Sequence, residues 1–263
     1  MQHAVNLPLF GELADPGAAV ELAEAAEAAG FDAFFVWDHV LSPLPGSWDI
    51  ADPWVVLSAI AARTSSLRIG TMVTPIPRRR IGKLARETVT LDRLSGGRLT
   101  LGLGAGGDGG RELSAFGEFS DAQARAQTLD EGADLLVQLW SGESVHHEGQ
   151  INAIDVTMTP TPIRGRIPIW IGCQGFRKRT AARAARFDGV FPLDVSDDDV
   201  KYLLDVVREV RGSLDDFDVA LAVHPSVDID HVRQLGATWA MHSFWPGHRL
   251  DQLHRFIARG VPS

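Results

Sequence analysis

Two glycine clusters are the first residues here whose type and spacing suit chemistry. In "GGRLTLGLGAGGDGG", Gly96 to Gly110, an apolar run ends in glycines, and Gly102, Gly104 and Gly107 spell G-x-G-x-x-G. Residues without Cβ let backbone N–H groups come close to an anion. A dinucleotide fingerprint also needs an acidic residue at the end of the next strand. Here the turn follows the fourth predicted strand, and the downstream acids, Asp121 and Asp130, fall on a helical pattern. That weakens the dinucleotide reading. The lack of Gly-Lys-Ser/Thr removes a P-loop. A second stretch, "IWIGCQGFRKR", repeats the device: Ile169 to Ile171 lead into Gly172, Cys173, Gln174 and Gly175, then an arginine-rich helical pattern. Two such turns on neighbouring strands would face one rim, where helix N-termini add partial positive charge. The chemistry expected is capture of an anionic ligand tail.

Other side chains narrow the choice. Arg78, Arg79 and Arg80 begin a helical pattern on the same rim and either steer a polyanionic tail or form a solvated helix start. His146 and His147 are adjacent, so on an extended segment they point to opposite faces and do not chelate together. His3 lacks a second histidine two residues on, so a metal-dependent amidohydrolase barrel is missing its ligands and no metal site is expected. Cys173, the sole cysteine, excludes an intrachain disulfide and a Cys-x-x-Cys metal site, and is expected to pack. Phe10, Trp37, Trp48 and Trp245, at predicted strand ends or rim loops, are expected to wall a substrate pocket with His242.

The elements that must position these residues alternate. Short β-branched or aromatic runs, His3–Phe10, Phe31–Val40, Leu67–Val73, Arg98–Leu103, Ile167–Ile171, Gly189–Pro192, Phe217–Val223 and Thr238–His242, predict strands. Between and after them, Pro16–Ala29, Pro53–Arg63, Ile81–Leu94, Asp121–Trp140, Arg177–Arg186, Asp197–Arg211, Asp230–Leu235 and Leu250–Arg259 predict helices, with Asp15 and Asp52 as N-caps before proline. Eight such units predict an α/β fold of the (β/α)8 TIM-barrel kind, preferred to a doubly wound open sheet. The irregular stretch from Ser141 to Arg166 predicts a hairpin or loop inserted before the fifth strand. No linker splits the 263 residues, so one domain, 1–263, is expected.

Charge excludes some partners. A net charge of −9 gives no basic footprint for nucleic acid or an anionic membrane. No apolar run reaches the roughly 20 residues of a membrane span, and "MQHAVNLPLF" lacks the pattern of a secretory signal. A cytoplasmic protein with a small-molecule substrate is the expectation.

Taken in order, "AAGFDAFFVWDHV", "RIGTMVTPIPRR", "KLARETVTLDRLSGGRLTLGLGAG", "LLVQLWSGESVHHEG" and "IPIWIGCQGFRKRTAARAARFDG" resemble the bacterial luciferase-like family of flavin- and deazaflavin-dependent oxidoreductases. The resemblance runs over nearly the whole chain. It implies a barrel that binds coenzyme F420, or alternatively FMN, at its C-terminal face, and it suggests a homodimer. Its phosphate loop falls on Gly104, Ala105, Gly106 and Gly107, and the partner turn on Gly172 to Gly175. A bulge with a non-prolyl cis peptide behind the ring falls on Thr71, Met72 and Val73. Asp38-His39 matches the pair that ends the second strand in deazaflavin-using members, with His39 handling a proton and Asp38 orienting the imidazole or capping the loop. The implied activity is hydride transfer between F420 and a small organic substrate; an FMN-dependent monooxygenase and a non-catalytic flavin-binding barrel are the alternatives. The chain departs from the family at Gly107-Asp108-Gly109-Gly110, where many members carry a Trp-Asn-Glu-like run.

Overall fold

The computed structural model of the protein describes residues 1–175, 177–223 and 229–262. Its strands, in chain order, are β1 (Gln2–Leu7), β2 (Ala33–Val36), β3 (Arg68–Pro75), β4 (Leu99–Gly104), β5 (Ser144–Glu148), β6 (Ala153–Thr157), β7 (Ile169–Gln174), β8 (Gly189–Leu193), β9 (Asp218–Val223) and β10 (Trp239–Ser243). The α-helices are α1 (Pro16–Ala28), α2 (Pro53–Arg63), α3 (Ile81–Leu94), α4 (Ala122–Trp140), α5 (Lys178–Ala184), α6 (Asp197–Arg211), α7 (Ile229–Gln234) and α8 (Leu250–Ile257). All strands but β5 and β6 pair in parallel, in the order β1-β10-β9-β8-β7-β4-β3-β2, and close a barrel. The (β/α)8 barrel is the observed fold, and the inserted stretch is the antiparallel hairpin β5–β6.

Local chemistry sets the helix starts. Asp15 accepts from the Gly17 amide at 2.8 Å, and Asp52 accepts from Trp54 and Val55 at 2.9 and 3.0 Å, each just before a proline whose missing N–H costs nothing at that position. Ser196 and Asp199 form a capping box at α6. The hairpin is pinned to α4 through Glu131, which accepts from the Ile151 and Asn152 amides and contacts His147 Nε2 at 3.3 Å. His147 is thereby a structural contact.

Strand alternation divides the core. On β10, Trp239 and Met241 face into the barrel, while Ala240 joins the larger core between barrel and helices. β1 follows the same rule, with Ala4 inside and Val5 and Leu7 outside. The barrel interior is therefore filled by Phe35, Trp170, Trp239, Phe191, Met72 and Met241. Two strands stop earlier than their apolar runs suggest. β1 ends at Leu7 because Pro8 has no N–H for the ladder. β2 ends at Val36, and the next residues turn out over the mouth, where Asp38 finds charged partners.

Candidate active site

A cavity of about 550 Å³ opens at the C-terminal ends of the strands. β1 contributes Asn6, the segment after β2 contributes Trp37, Asp38 and His39, and β3 contributes Met72 and Val73. The loop after β4 supplies Gly106, Gly107, Gly109, Gly110 and Glu112, and β7 supplies Gln174. Phe191, Leu193, Asp194, Ser243 and Trp245 close the far side. This is the face where barrel enzymes assemble their chemistry from strand ends.

Between Thr71 and Thr74 the β3–β4 register shifts, and the Met72–Val73 peptide within that bulge is cis, as the resemblance implied. The bulge explains several glycines. A methyl at Gly104 would sit 2.7 Å from Val73 Cγ2, one at Gly172 2.7 Å from Val73 Cγ1, and one at Gly102 2.2 Å from the Thr71 carbonyl. These three positions make room for a strand rather than for a ligand. Gly107 has open space beside it, while a methyl at Gly106 (φ +65°) would sit 2.8 Å from Pro75 Cβ. Both line the cavity, and neither amide donates to a described residue. Of the two expected anion-binding turns, then, Gly106, Gly107 and Gln174 reach the cavity. Gly104, Ala105, Gly172, Cys173 and Gly175 do not, because Val73 fills the space beside Gly104 and Gly172 and the Gly175 amide donates to Leu193 at 2.8 Å. Burial pushes the Cys173 thiol up to about 12, so it packs as an inert thiol.

The imidazole of His39 is held by a residue the sequence did not single out. His39 Nδ1 lies 2.9 Å from Glu112 Oε2, and Glu112 Oε1 accepts from the Val40 amide at 2.7 Å and the Leu41 amide at 3.3 Å. Burial pushes the Glu112 carboxyl upward, but the His39 contact, the Arg78 charge and the Val40 amide outweigh it and hold the group below the ordinary carboxylate value. A carboxylate that accepts at Nδ1 fixes the tautomer and leaves Nε2 free to take a proton.

Asp38 does something else. It is 1 % exposed, and its carboxylate accepts from Arg79 at 2.7 Å, Arg78 at 3.1 Å, Thr74 at 2.8 Å and the Trp54 indole at 3.3 Å. The expectation that Asp38 orients the imidazole is corrected: its carboxylate is taken up by these donors, and Glu112 holds His39 Nδ1 instead. The expected steering role of Arg78 and Arg79 is corrected with it, because both pair with Asp38 and Arg78 also with Glu112 at 3.7 Å; Arg80 is left exposed at the start of α3.

Three expected wall residues lie outside the cavity. His242 points away from the barrel interior, stacks on His3 with Nε2 3.0 Å from His3 Nδ1, and packs against Phe31 and Phe256. Strand alternation places it there, since Trp239, Met241 and Ser243 take the inner face. Phe10 is buried behind the wall, edge-on to Trp37 and His39. Trp48 covers Gly11 and donates to the Pro45 carbonyl at 3.1 Å. Trp37 and Trp245 do meet at the mouth, with ring centroids 5.3 Å apart and nearly perpendicular.

Asn6, also missed, gives a fit test for a polar ligand. Its Nδ2 donates to Ser243 Oγ at 3.1 Å, and that hydroxyl in turn donates to the Met241 carbonyl at 3.3 Å. The Asn6 Oδ1 that remains is buried and has no partner among the described residues. An acceptor on an inner strand facing a largely apolar cavity, with two bare amides across the mouth, suits a planar ring bearing N–H groups and an anionic tail.

Comparison with known proteins agrees with this geometry. Residues 3–257 match the sequence profile of the family described as luciferase-like monooxygenase. An F420-dependent glucose-6-phosphate dehydrogenase from Nakamurella multipartita is 32 % identical over 242 residues, covering 88 % of this chain and 70 % of its own. An uncharacterised protein of Mycobacterium tuberculosis is 31 % identical over 267 residues, covering 93 % of this chain and 92 % of its own. Among solved structures, the coenzyme F420-dependent tetrahydromethanopterin reductase of Methanopyrus kandleri superposes with a TM-score of 0.81 at 18 % identity, over 99 % of this chain and 98 % of its own. Monooxygenase RslO1 from Streptomyces bottropensis gives 0.71 at 27 % identity, over 99 % and 80 %.

Proposed function

The chain belongs to the luciferase-like monooxygenase family, and from that premise we propose that it is an oxidoreductase that moves hydride between coenzyme F420 and a small organic substrate at the C-terminal mouth of the barrel. The observation that carries this reading is the His39–Glu112 pair at the cavity wall, a proton-handling group held still beside a pocket for a planar ring. Relatives about a third identical are F420-dependent dehydrogenases, which supports the same cofactor. When bound, the deazaflavin supplies a carbon centre that gives or accepts hydride.

The chain's own residues do the rest. Met72 and Val73 back the ring, and the amides of Gly106 and Gly107, with Gln174, receive the anionic tail. Arg125, which donates to the Gly106 carbonyl at 2.6 Å, supplies positive charge beside that loop. Trp37 and Trp245 narrow the entrance and exclude water. His39 takes or returns the substrate proton through Nε2 while Glu112 stabilises the imidazolium.

Titrating the purified protein with coenzyme F420 and with FMN, followed by fluorescence quenching, tests the reading. F420 is expected to bind more tightly. Tight binding of FMN alone would replace it with the FMN-dependent monooxygenase reading; RslO1, which this chain resembles, is a monooxygenase.

A further inference from the structure

We propose that Arg78 is a positioning residue for the proton exchange at His39: one guanidinium braces both supports of the imidazole, and its charge keeps the exchanged proton on the ring instead of on Glu112. The inference rests on the oxidoreductase reading above and adds to it the group that decides where the proton sits.

The geometry carries it. Arg78 lies in the turn after β3, with its side chain 5 % exposed. Nη2 donates to the Asp38 carbonyl, on the peptide bond that leads into His39, and to Asp38 Oδ1 at 3.1 Å. Nη1 lies 3.7 Å from Oε1 of Glu112, the carboxylate whose Oε2 is 2.9 Å from His39 Nδ1. Arg78 thus meets the chain on one side of the ring and the carboxylate on the other. Nη1 and Nε have no hydrogen-bond partner among the described residues. The guanidinium therefore acts on Glu112 as a charge at ion-pair distance, and leaves the carboxylate's lone pairs to His39 and to the Val40 and Leu41 amides.

The charges around the pair balance. Two carboxylates, Asp38 and Glu112, face two guanidinium groups, Arg78 and Arg79, and Arg79 is bound to Asp38 at 2.7 Å. Phe10, Trp37 and Trp54 pack around them without charge. Arg111, next to Glu112 in the chain, is exposed, and Asp194 stands on the far side of the cavity. A buried carboxylate beside an imidazolium can take the proton itself, because burial penalises its charge. Burial does push the Glu112 carboxyl upward, and the His39 contact with the Arg78 charge outweighs it. Without Arg78 the cluster carries one more negative charge. His39 and Glu112 would then both hold protons more tightly, and the imidazolium would release its proton less readily.

The test follows His39 and Glu112 by nitrogen and carbon NMR as the purified protein is titrated with acid. In the wild type, the Glu112 carboxyl carbon should keep its carboxylate shift throughout the pH range in which His39 titrates. In Arg78→Met the His39 titration should move up by about one pH unit. Arg78→Lys, which keeps the charge but not the fork, should return most of that shift. Glu112 and His39 titrating in one step in the wild type would overturn the proposal, and this measurement decides alone if Arg78→Met does not fold. So would a folded Arg78→Met whose His39 titration stays put, the result of a purely structural arginine. Fluorescence titration with F420 separates the two readings. If F420 does not bind while the His39 shift appears, the oxidoreductase reading falls and the Arg78 assignment stands. F420 binding with an unmoved His39 keeps the first and overturns the second.

Discussion

The two ends of the barrel treat buried polar groups in opposite ways. At the N-terminal end, Trp170 and Trp239 fill the interior, and Asp218 accepts from both indole N–H groups, at 3.1 and 2.9 Å. Arg68 then pairs with Asp218 at 3.5 Å and lies 5.0 Å over the Trp239 ring. Each side chain there completes another. At the mouth, Asn6 Oδ1 is buried without a partner among the described residues, and the amides of Gly106 and Gly107 donate to none of them. Thr100 Oγ1, nearer the closed end, Glu87 on α3 and guanidinium nitrogens of Arg78, Arg79 and Arg125 stand outside this pattern. Buried polar groups are ordinarily satisfied, so the inward residues complement one another at one end and something outside the chain at the other.

The sharpest way to break that contrast is to truncate a tryptophan at each end. Trp239→Ala is expected to cost about 3–5 kcal/mol in urea unfolding, whereas Trp37→Ala, on an open wall, should cost well under half of that and weaken ligand binding instead. Equal losses would show that the mouth is as much a core as the base. Next in size, His39→Ala should lower turnover at least about a hundredfold, roughly 2.7 kcal/mol. F420 affinity and the unfolding midpoint should stay put; wild-type rates would remove His39 from the chemistry.

A smaller effect lies outside the barrel wall. Burial and the neighbouring His3 lower the His242 pKa to about 4. Its unfolded value is near 6.5, so between pH 6.5 and 4 the unfolded chain binds a proton that the folded chain refuses, and stability falls as pH falls. From pH 6.5 to 5 this amounts to about 1.5 kcal/mol. His242→Phe should flatten that slope in urea titrations at the two pH values. An unchanged slope would mean that His242 titrates normally in the folded protein. The smallest effect concerns Glu27, where burial is outweighed by hydrogen bonds from Ser65, Ser66 and Leu67, which hold the carboxyl at about 2. That stabilisation is present above the unfolded value and lost as pH drops from about 4.5 toward 2. At pH 7, Glu27→Gln is expected to cost about 1 kcal/mol by thermal unfolding.

What the sequence revealed follows from the range of the forces involved. The bounds of Pro53–Arg63, Ile81–Leu94 and Asp197–Arg211 coincide with the predicted helices. Caps, prolines and amphipathic spacing are local, so the reading needs only a few neighbours. Strand ends are set by partners far along the chain, and β2 closes four residues before its apolar run suggests. The position of His242 shows the same limit: the run from Trp239 to His242 is buried on both faces, so its period gives no hint of which residues point inward. Glu112 is paired with a residue 73 positions away, from a glycine-rich loop without periodicity. Asn6 carried one faint signal, an amide between the apolar Val5 and Leu7 of β1. Gly107 and Trp37 were legible from glycine spacing and residue type, whereas His39 and Met72 were found through the resemblance, which holds long-range information that spacing lacks.

The saturated carboxylate of Asp38 has a consequence for timing. Four side chains from β3, α2 and the turn before α3 converge on it, so the backbone one residue ahead of His39 is anchored to three elements at once. With Glu112 gripping the next two amides on the far side, the imidazole is clamped fore and aft. Charge can enter and leave the ring in each cycle while the scaffold stays still, so little reorganisation is demanded of the protein when the proton moves. Gating must then fall to the rim and its ligands.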